Sequence, residues 1–250
     1  DIFDVQEAPR IFYSRRIGRQ PQGSIPDSAT ASTRPDRTTI LGAAKLTGRT
    51  AGGWEVGVIE AVTSQETATL LDEAGDRAES VVEPTTNYAV ARARKNLRGG
   101  RSTVGGIVTA ANRPGMEARL ADDMHRAAYA GGIDGRHRFG NEHYEVSGSL
   151  LGSQVRGTPS ALLQTQTAPA HYYQRPDADH LSVDSSATSL SGWSLNTKIE
   201  RIAGTWRWEA VAGATSPGFE INDLGFLQQA DEVSAGAGLS YLDATQGTTF

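Results

Sequence analysis

The sequence predicts an all-β protein. Its expected architecture is an up-and-down antiparallel β-barrel of transmembrane type, an incomplete part of a larger barrel, behind an irregular N-terminal arm. Three observations lead there. Segments of roughly ten residues, the length a membrane-spanning strand needs, alternate between small apolar and polar side chains. Short glycine-bearing connections join these segments in pairs. Short connections then alternate with long ones, as in barrels with tight turns at one end and long loops at the other.

The alternation is clearest in "TWRWEAVAGAT". Trp206, Trp208, Ala210, Ala212 and Ala214 fall on one side, and Arg207, Glu209, Val211, Gly213 and Thr215 on the other. In a soluble sheet the first side would be core; in a membrane barrel it would be lipid, with the second side facing a wet lumen. Ala, Gly and Val dominate the apolar sides, and the whole chain holds only six Phe. A protein core is filled to crystal-like density with larger side chains, whereas lipid requires no such fit. The medium expected against the tryptophans and alanines is therefore lipid.

Residues 1–37 are read as an irregular, plug-like arm holding Pro9, Pro21, Pro26 and Pro35 and the cluster Arg15, Arg16 and Arg19. Residues 38–250 are read as the barrel region, with about nine strands. "TTILGAAKLTGR" pairs with "GGWEVGVIEAVT" through Thr50, Ala51 and Gly52. "TTNYAVARARKNL" and "STVGGIVTAANR" flank "RGGR". "AYAGGIDGRHRF" and "HYEVSGSLLGSQVRG" flank "GNE". "SLSGWSLNTKIERI" and "TWRWEAVAGATS" flank Ala203 and Gly204, and "EVSAGAGLSYLDA" supplies the ninth strand. Residues 65–84, 113–126, 157–187 and 216–231 are the long connections, with a short helical turn expected in "EARLADDMHRAAYA". Parity places Trp54, Val56, Val58 and Val62 together, Ala89, Ala91 and Ala93 together, and Asp134, Arg136 and Arg138 together. An aromatic girdle is expected from Trp54, Tyr88, Tyr129, Tyr144 and Trp206, which lie near strand ends.

Composition narrows the function classes. The 250-residue chain carries 24 basic and 29 acidic residues, well mixed, for a net charge of −5. That balance gives no reason to expect a nucleic-acid partner. Mean hydropathy is −0.41, and no apolar run is long enough for a transmembrane helix. With no cysteine, disulfides and thiolate metal sites are impossible. The opening "DIFDVQEAPRIFYSRRIGRQ" lacks the basic and apolar regions of a signal peptide, so the sequence is read as a mature chain or a fragment.

Several blocks together resemble a known family. These are "IFYSRRIGR", "ILGAAKLTGRTAGGWEVGVIEAVT", "EPTTNYAVARARKNLRGGRSTVGGIVTAANR", "YYQRPDADHLSVD" and "SPGFEINDLGFLQQAD". They are similar to the bacterial domain-of-unknown-function family numbered 5916. The resemblance implies a signal peptide, a module like the family-9 carbohydrate-binding domains, and then a long outer-membrane barrel region of which this chain would be the first part. It also implies a bacterial outer-membrane location, with lipid as partner and a carbohydrate-related solute. It supplies no catalytic residues.

Candidate chemistry is sparse. Lys45, Arg92, Arg94, Arg136, Arg138 and Arg207, interleaved with Glu55, Glu145, Glu200 and Glu209, form an expected lumen charge network that either tunes passage or stiffens the wall. Asp177, Asp179 and His180 in "RPDADH" would suit Ca²⁺ or Zn²⁺, against the plainer reading of loop-fixing hydrogen bonds. No other cofactor is expected. Glu220, Asn222 and Asp223 in "FEINDLGF" are read chiefly as an ordered plug turn. Arg15, Arg16 and Arg19 either bind an anion or salt-bridge to interior acids. His125, His137, His143, His171 and His180 show no ligand spacing, and no nucleophile motif is present. Three functions follow as expectations: passage or binding of a carbohydrate-related solute, a barrel anchoring a carbohydrate-binding-like module, and a soluble β-rich carbohydrate-active enzyme.

Overall fold

The computed structural model describes residues 2–243. Its strands are β1 (Ala31–Thr33), β2 (Ile40–Arg49), β3 (Trp54–Thr63), β4 (Glu66–Leu71), β5 (Arg77–Glu83), β6 (Thr86–Leu97), β7 (Ser102–Asn112), β8 (Ala127–Phe139), β9 (Tyr144–Arg156), β10 (Ser189–Arg201), β11 (Trp206–Thr215) and β12 (Glu232–Tyr241). Two helices, α1 (Ala118–Asp123) and α2 (Pro159–Thr167), lie in the long connections. Nine strands form one antiparallel meander in the order β12-β11-β10-β9-β8-β7-β6-β3-β2. Within the described residues this sheet is open, with β2 and β12 as its edges. The all-β, antiparallel expectation holds, whereas a closed barrel is not seen.

Two long connections hold more structure than their sequences suggested. Residues 65–84 contain the β4–β5 hairpin, which joins β1 in a separate three-stranded sheet around Ala68, Leu70 and Val82. Asp72 makes its turn, accepting from the backbone N–H of Ala74 at 2.9 Å and Asp76 at 2.8 Å. The connection 157–187 contains α2. Thr158 caps it by accepting from Ala161 N at 3.3 Å, with Pro159 in the first turn. The helical turn expected in 113–126 is α1.

The meander has two unlike faces. Cross-strand partners share a face, so register carries the parity of one strand across all nine. Val58 pairs with Ala91, Ala91 with Val108, and Val108 with Gly131. Gly131 then pairs with Gly152, and Gly152 with Trp193. This face is left open: Ile133 is 65% exposed, Leu150 48% and Leu239 69%. The other face is covered over its middle strands. Tyr88, Val90, Ile107, Leu151 and Val155 are buried there beneath Phe3 and Ile11 of the arm, Leu162 of α2, and Phe219, Ile221, Leu224 and Leu227 of the 216–231 segment.

That segment lies almost backbone-to-backbone on β10, and glycine makes the approach possible. A Cβ built on Gly192 would stand 2.1 Å from Phe219 N, far inside van der Waals contact. Gly192→Val is therefore expected to lift Phe219 from its seat at a cost of about 1–3 kcal/mol. Chymotrypsin should then cut after Phe219 and Leu224 faster than in the parent chain; unchanged cleavage would contradict this contact.

Candidate functional site

The covered face carries the charges. Arg92 and Asp134, on β6 and β8, pair at 2.8 Å with both side chains fully buried. The Gln6 backbone N–H of the arm donates to Asp134 Oδ2 at 3.2 Å. Arg94 donates to Glu55 at 2.6 Å, and Arg49 bonds the same carboxylate. Arg138 holds Glu145 at 2.6 Å, with Arg136 at 3.9 Å. Lys198 lies between Glu200 at 3.2 Å and Glu209 at 3.1 Å. Lys45 Nζ stands 5.3 Å over the Phe3 ring. Arg207 turns to its own hairpin, donating to Gly204 O at 3.4 Å. All ten residues of the expected charge network thus share one face with parity partners, but they form separate small clusters. Ser147 and Ser149 of β9 donate to Glu7 of the arm at 3.3 and 3.0 Å, so the arm is tied to the polar part of the sheet.

A second, denser network was missed in sequence. Arg113, just past β7, donates to Asp223 Oδ1 at 2.7 Å and to His125 O at 2.7 Å. His125 Nδ1 meets Asp223 Oδ2 at 2.7 Å, and its Nε2 meets Thr165 Oγ1 of α2 at 2.7 Å. Burial would raise the Asp223 carboxyl, but Arg113, His125 and Arg19 outweigh it and hold the group well below the usual carboxylate range. Burial likewise disfavours charged His125, yet the adjacent Asp223 carboxylate raises it above its ordinary value. Next to this cluster His171 Nε2 meets Glu220 Oε2 at 2.7 Å, and its Nδ1 meets Pro217 O at 2.8 Å. Arg16 donates to Gly225 O at 2.9 Å and to Asn222 Oδ1 at 3.2 Å, and Arg19 to Asn222 O at 3.3 Å. Glu220, Asn222 and Asp223 thus form an ordered turn, to which Arg16 and Arg19 donate.

A hydroxyl, an imidazole and a carboxylate in line have the order of a hydrolase triad. Here the carboxylate is shared with Arg113, and Thr165 Oγ1 bonds back to Ala161 O at 3.0 Å, one helical turn earlier. The hydroxyl's proton is directed into its own helix, which suits a structural clamp.

Two of the clefts on the covered face lie beside the 216–231 segment. One, of about 560 Å³, is lined by Arg10, Asn196, Phe226, Gln228, Gln229 and Ser234 among others. The second, of about 370 Å³, lies among Arg16, Arg19, His125, Thr165 and Asp223. The 216–231 segment lines both.

The expected metal loop is corrected. Asp177 lies 3.5 Å from Arg175, and His180 bonds Asp231 at 2.8 Å. Among the described residues no group of three His, Asp or Glu side chains converges as a metal site, and Asp177, Asp179 and His180 make none. Asp177 and His180 instead meet Arg175 and Asp231. The girdle needs one correction too. Tyr88 is 2% exposed and faces the covered side, because it shares parity with Val90 and Arg92. Trp54, Tyr144 and Trp206 do stand on the open face at its short-turn end, joined there by Phe139, Trp208 and Tyr241. Phe139 and Tyr144 are 5.5 Å apart, Tyr144 and Trp208 6.2 Å, and Trp206 and Tyr241 5.0 Å. Tyr129 stands on the open face at the opposite end.

The profile of a family described as a domain of unknown function, DUF5916, matches residues 3–250. No curated protein and no solved structure matches the chain.

Proposed function

The chain belongs to the DUF5916 family, and we propose that it forms the wall of a bacterial outer-membrane β-barrel, with the open face toward lipid and the covered face toward the interior. One observation carries this reading. Between the two ends of the open face, no outward-facing residue of any of the nine strands is charged. Glu60 and Arg156 mark one end, and Lys95 and Arg201 the other. Tyr129 and Phe139 are ten residues apart on β8. At about 3.3 Å per residue and a tilt near 40° they stand about 25 Å apart in height, the thickness of a barrel's apolar band. In water, an apolar surface of this extent would drive association. The clefts, with the neutral hydrogen-bonding groups Asn196, Gln228 and Gln229, suit binding or passage of a carbohydrate-related solute.

A second reading, a closed barrel that anchors a neighbouring carbohydrate-binding-like module, is favoured by the packed cap of Phe3, Ile11, Phe219 and Leu227 on the covered face. Planar-bilayer conductance separates the two, because a permanently plugged wall passes no current. A soluble carbohydrate-active enzyme fits less well, since among the described residues the Trp54 and Trp206 face packs against no second sheet.

All four tryptophans of the chain, Trp54, Trp193, Trp206 and Trp208, project from the open face. The test reconstitutes the full chain in vesicles containing brominated lipids. Tryptophan emission should be quenched most by bromines close to the headgroups, where the short-turn belt would sit. A chain that stays monodisperse without detergent, with emission untouched by brominated lipid, would overturn the proposal.

A further inference from the structure

The 216–231 segment touches three histidines from outside itself, and each meets one of its carboxylates: His125 with Asp223, His171 with Glu220, and His180 with Asp231. His171 is the informative case. Its Nδ1 faces the carbonyl oxygen of Pro217 and its Nε2 faces the Glu220 carboxylate. Both partners only accept, so both ring nitrogens must donate, and a neutral imidazole has one donor too few. The other Glu220 oxygen accepts from the Asn222 backbone N–H, so wherever the proton between Nε2 and Oε2 rests, the His171–Glu220 pair holds one proton more than a neutral imidazole beside a carboxylate. His125 repeats the arrangement against Asp223 and against a Thr165 hydroxyl that bonds back to Ala161 O.

We propose that residues 216–231 are a strap held on the covered face by protons, with His171 and His125 each donating from both ring nitrogens to clamp Glu220 and Asp223. Loss of the proton shared by His171 and Glu220 leaves a bare ring nitrogen against either the part-buried Pro217 O or the buried Glu220 carboxylate, and frees the 217–221 flank. Loss of the His125 proton weakens the grip on Asp223, where Arg113 still holds the centre. The flank therefore loosens first. Release of the strap would open both clefts at once, since it lines each. This inference stands whether the open face meets lipid or protein.

Carboxylates and cations surround the three histidines. His171 faces Glu220, with the Tyr173 ring 6.3 Å away. His125 faces Asp223, Arg113 and Glu220, and Arg16, Arg19 and Asp123 line the same cleft. His180 is more exposed and shares Asp231 with Arg175, which also neighbours Asp177. For His125, whose folded value is raised, the clamp's contribution is complete below the ordinary imidazole range. It is lost as pH rises through the elevated value.

The test is amide hydrogen exchange of the full folded chain across neutral to alkaline pH, corrected for intrinsic base catalysis. Protection of the Phe219 and Glu220 amides should fall on the order of tenfold or more, while β8 and β9 amides keep theirs. In the double variant H125Q/H171Q the step should vanish. A flat profile in the parent chain, or a step that persists in the double variant, overturns the strap. Should that variant not fold, ¹⁵N spectra of the parent's imidazoles decide: at neutral pH both nitrogens of His171 should carry protons, and a neutral tautomer there sinks the proposal.

Discussion

Replacing Asp223 with alanine is expected to remove about 3–5 kcal/mol of folding stability, read from urea unfolding of the full chain. The side chain joins Arg113 and His125 at 2.7 Å each. Deleting it leaves a fully buried guanidinium with its main counter-charge gone, and stranding one ion of a buried pair is far more costly than removing the pair. The double variant Arg113→Met/Asp223→Leu should therefore recover most of the loss. If both variants fell equally, the damage would lie in packing. Acid should act slowly on this pair. Because the Asp223 carboxyl is held below its usual range, its contribution is present at neutral pH. That contribution is lost only as pH falls through the depressed value.

This network shows where sequence reasoning stops. Parity is a local signal, and it assigned the faces of the meander from stretches as short as "ARARK". It even contained the correction to the girdle: Tyr88 is two residues from Val90 and four from Arg92, so alternation puts it with them, and proximity to a strand end misled. The cap on α2 was likewise legible, as Thr158 followed by Pro159. The Arg113–Asp223 pair was not, because its members lie 110 residues apart and neither occupies an alternating position. Glu220 and Asp223 stood out as a turn, but nothing in their spacing names His171 and His125 as partners. The metal reading of Asp177, Asp179 and His180 failed for a related reason. Alternate oxygen ligands in a loop suit a cation only if they converge, and here Asp177 meets Arg175 while His180 meets Asp231. The nine long strands were countable because each carries its own period; the β4–β5 hairpin escaped because its strands have only six and seven residues.

Arginine at Leu150 should be the most damaging single change on the open face. Leu150 lies between Ile133 and Leu195 in register, among uncharged neighbours, and is six residues from Tyr144 along β9. In a bilayer this places it near the middle of the apolar band, where arginine on the lipid face of a barrel costs about 2–4 kcal/mol. Position matters as much as charge. Arginine at Val146, two residues from the Tyr144 belt, can reach the interface with its long side chain and should cost about 0–1 kcal/mol. Measured as unfolding free energies in lipid, Leu150→Arg and Val146→Arg should thus differ several-fold in cost, though both residues are half-exposed on the same strand. Water against this face would make both substitutions nearly neutral. A protein partner would penalise them according to local packing, with no reason for the cost to follow distance from the aromatic belt. A gradient that rises toward Leu150 and falls again toward Gln154 is the pattern that only a hydrocarbon slab produces, and a flat one would remove lipid from the account of this sheet.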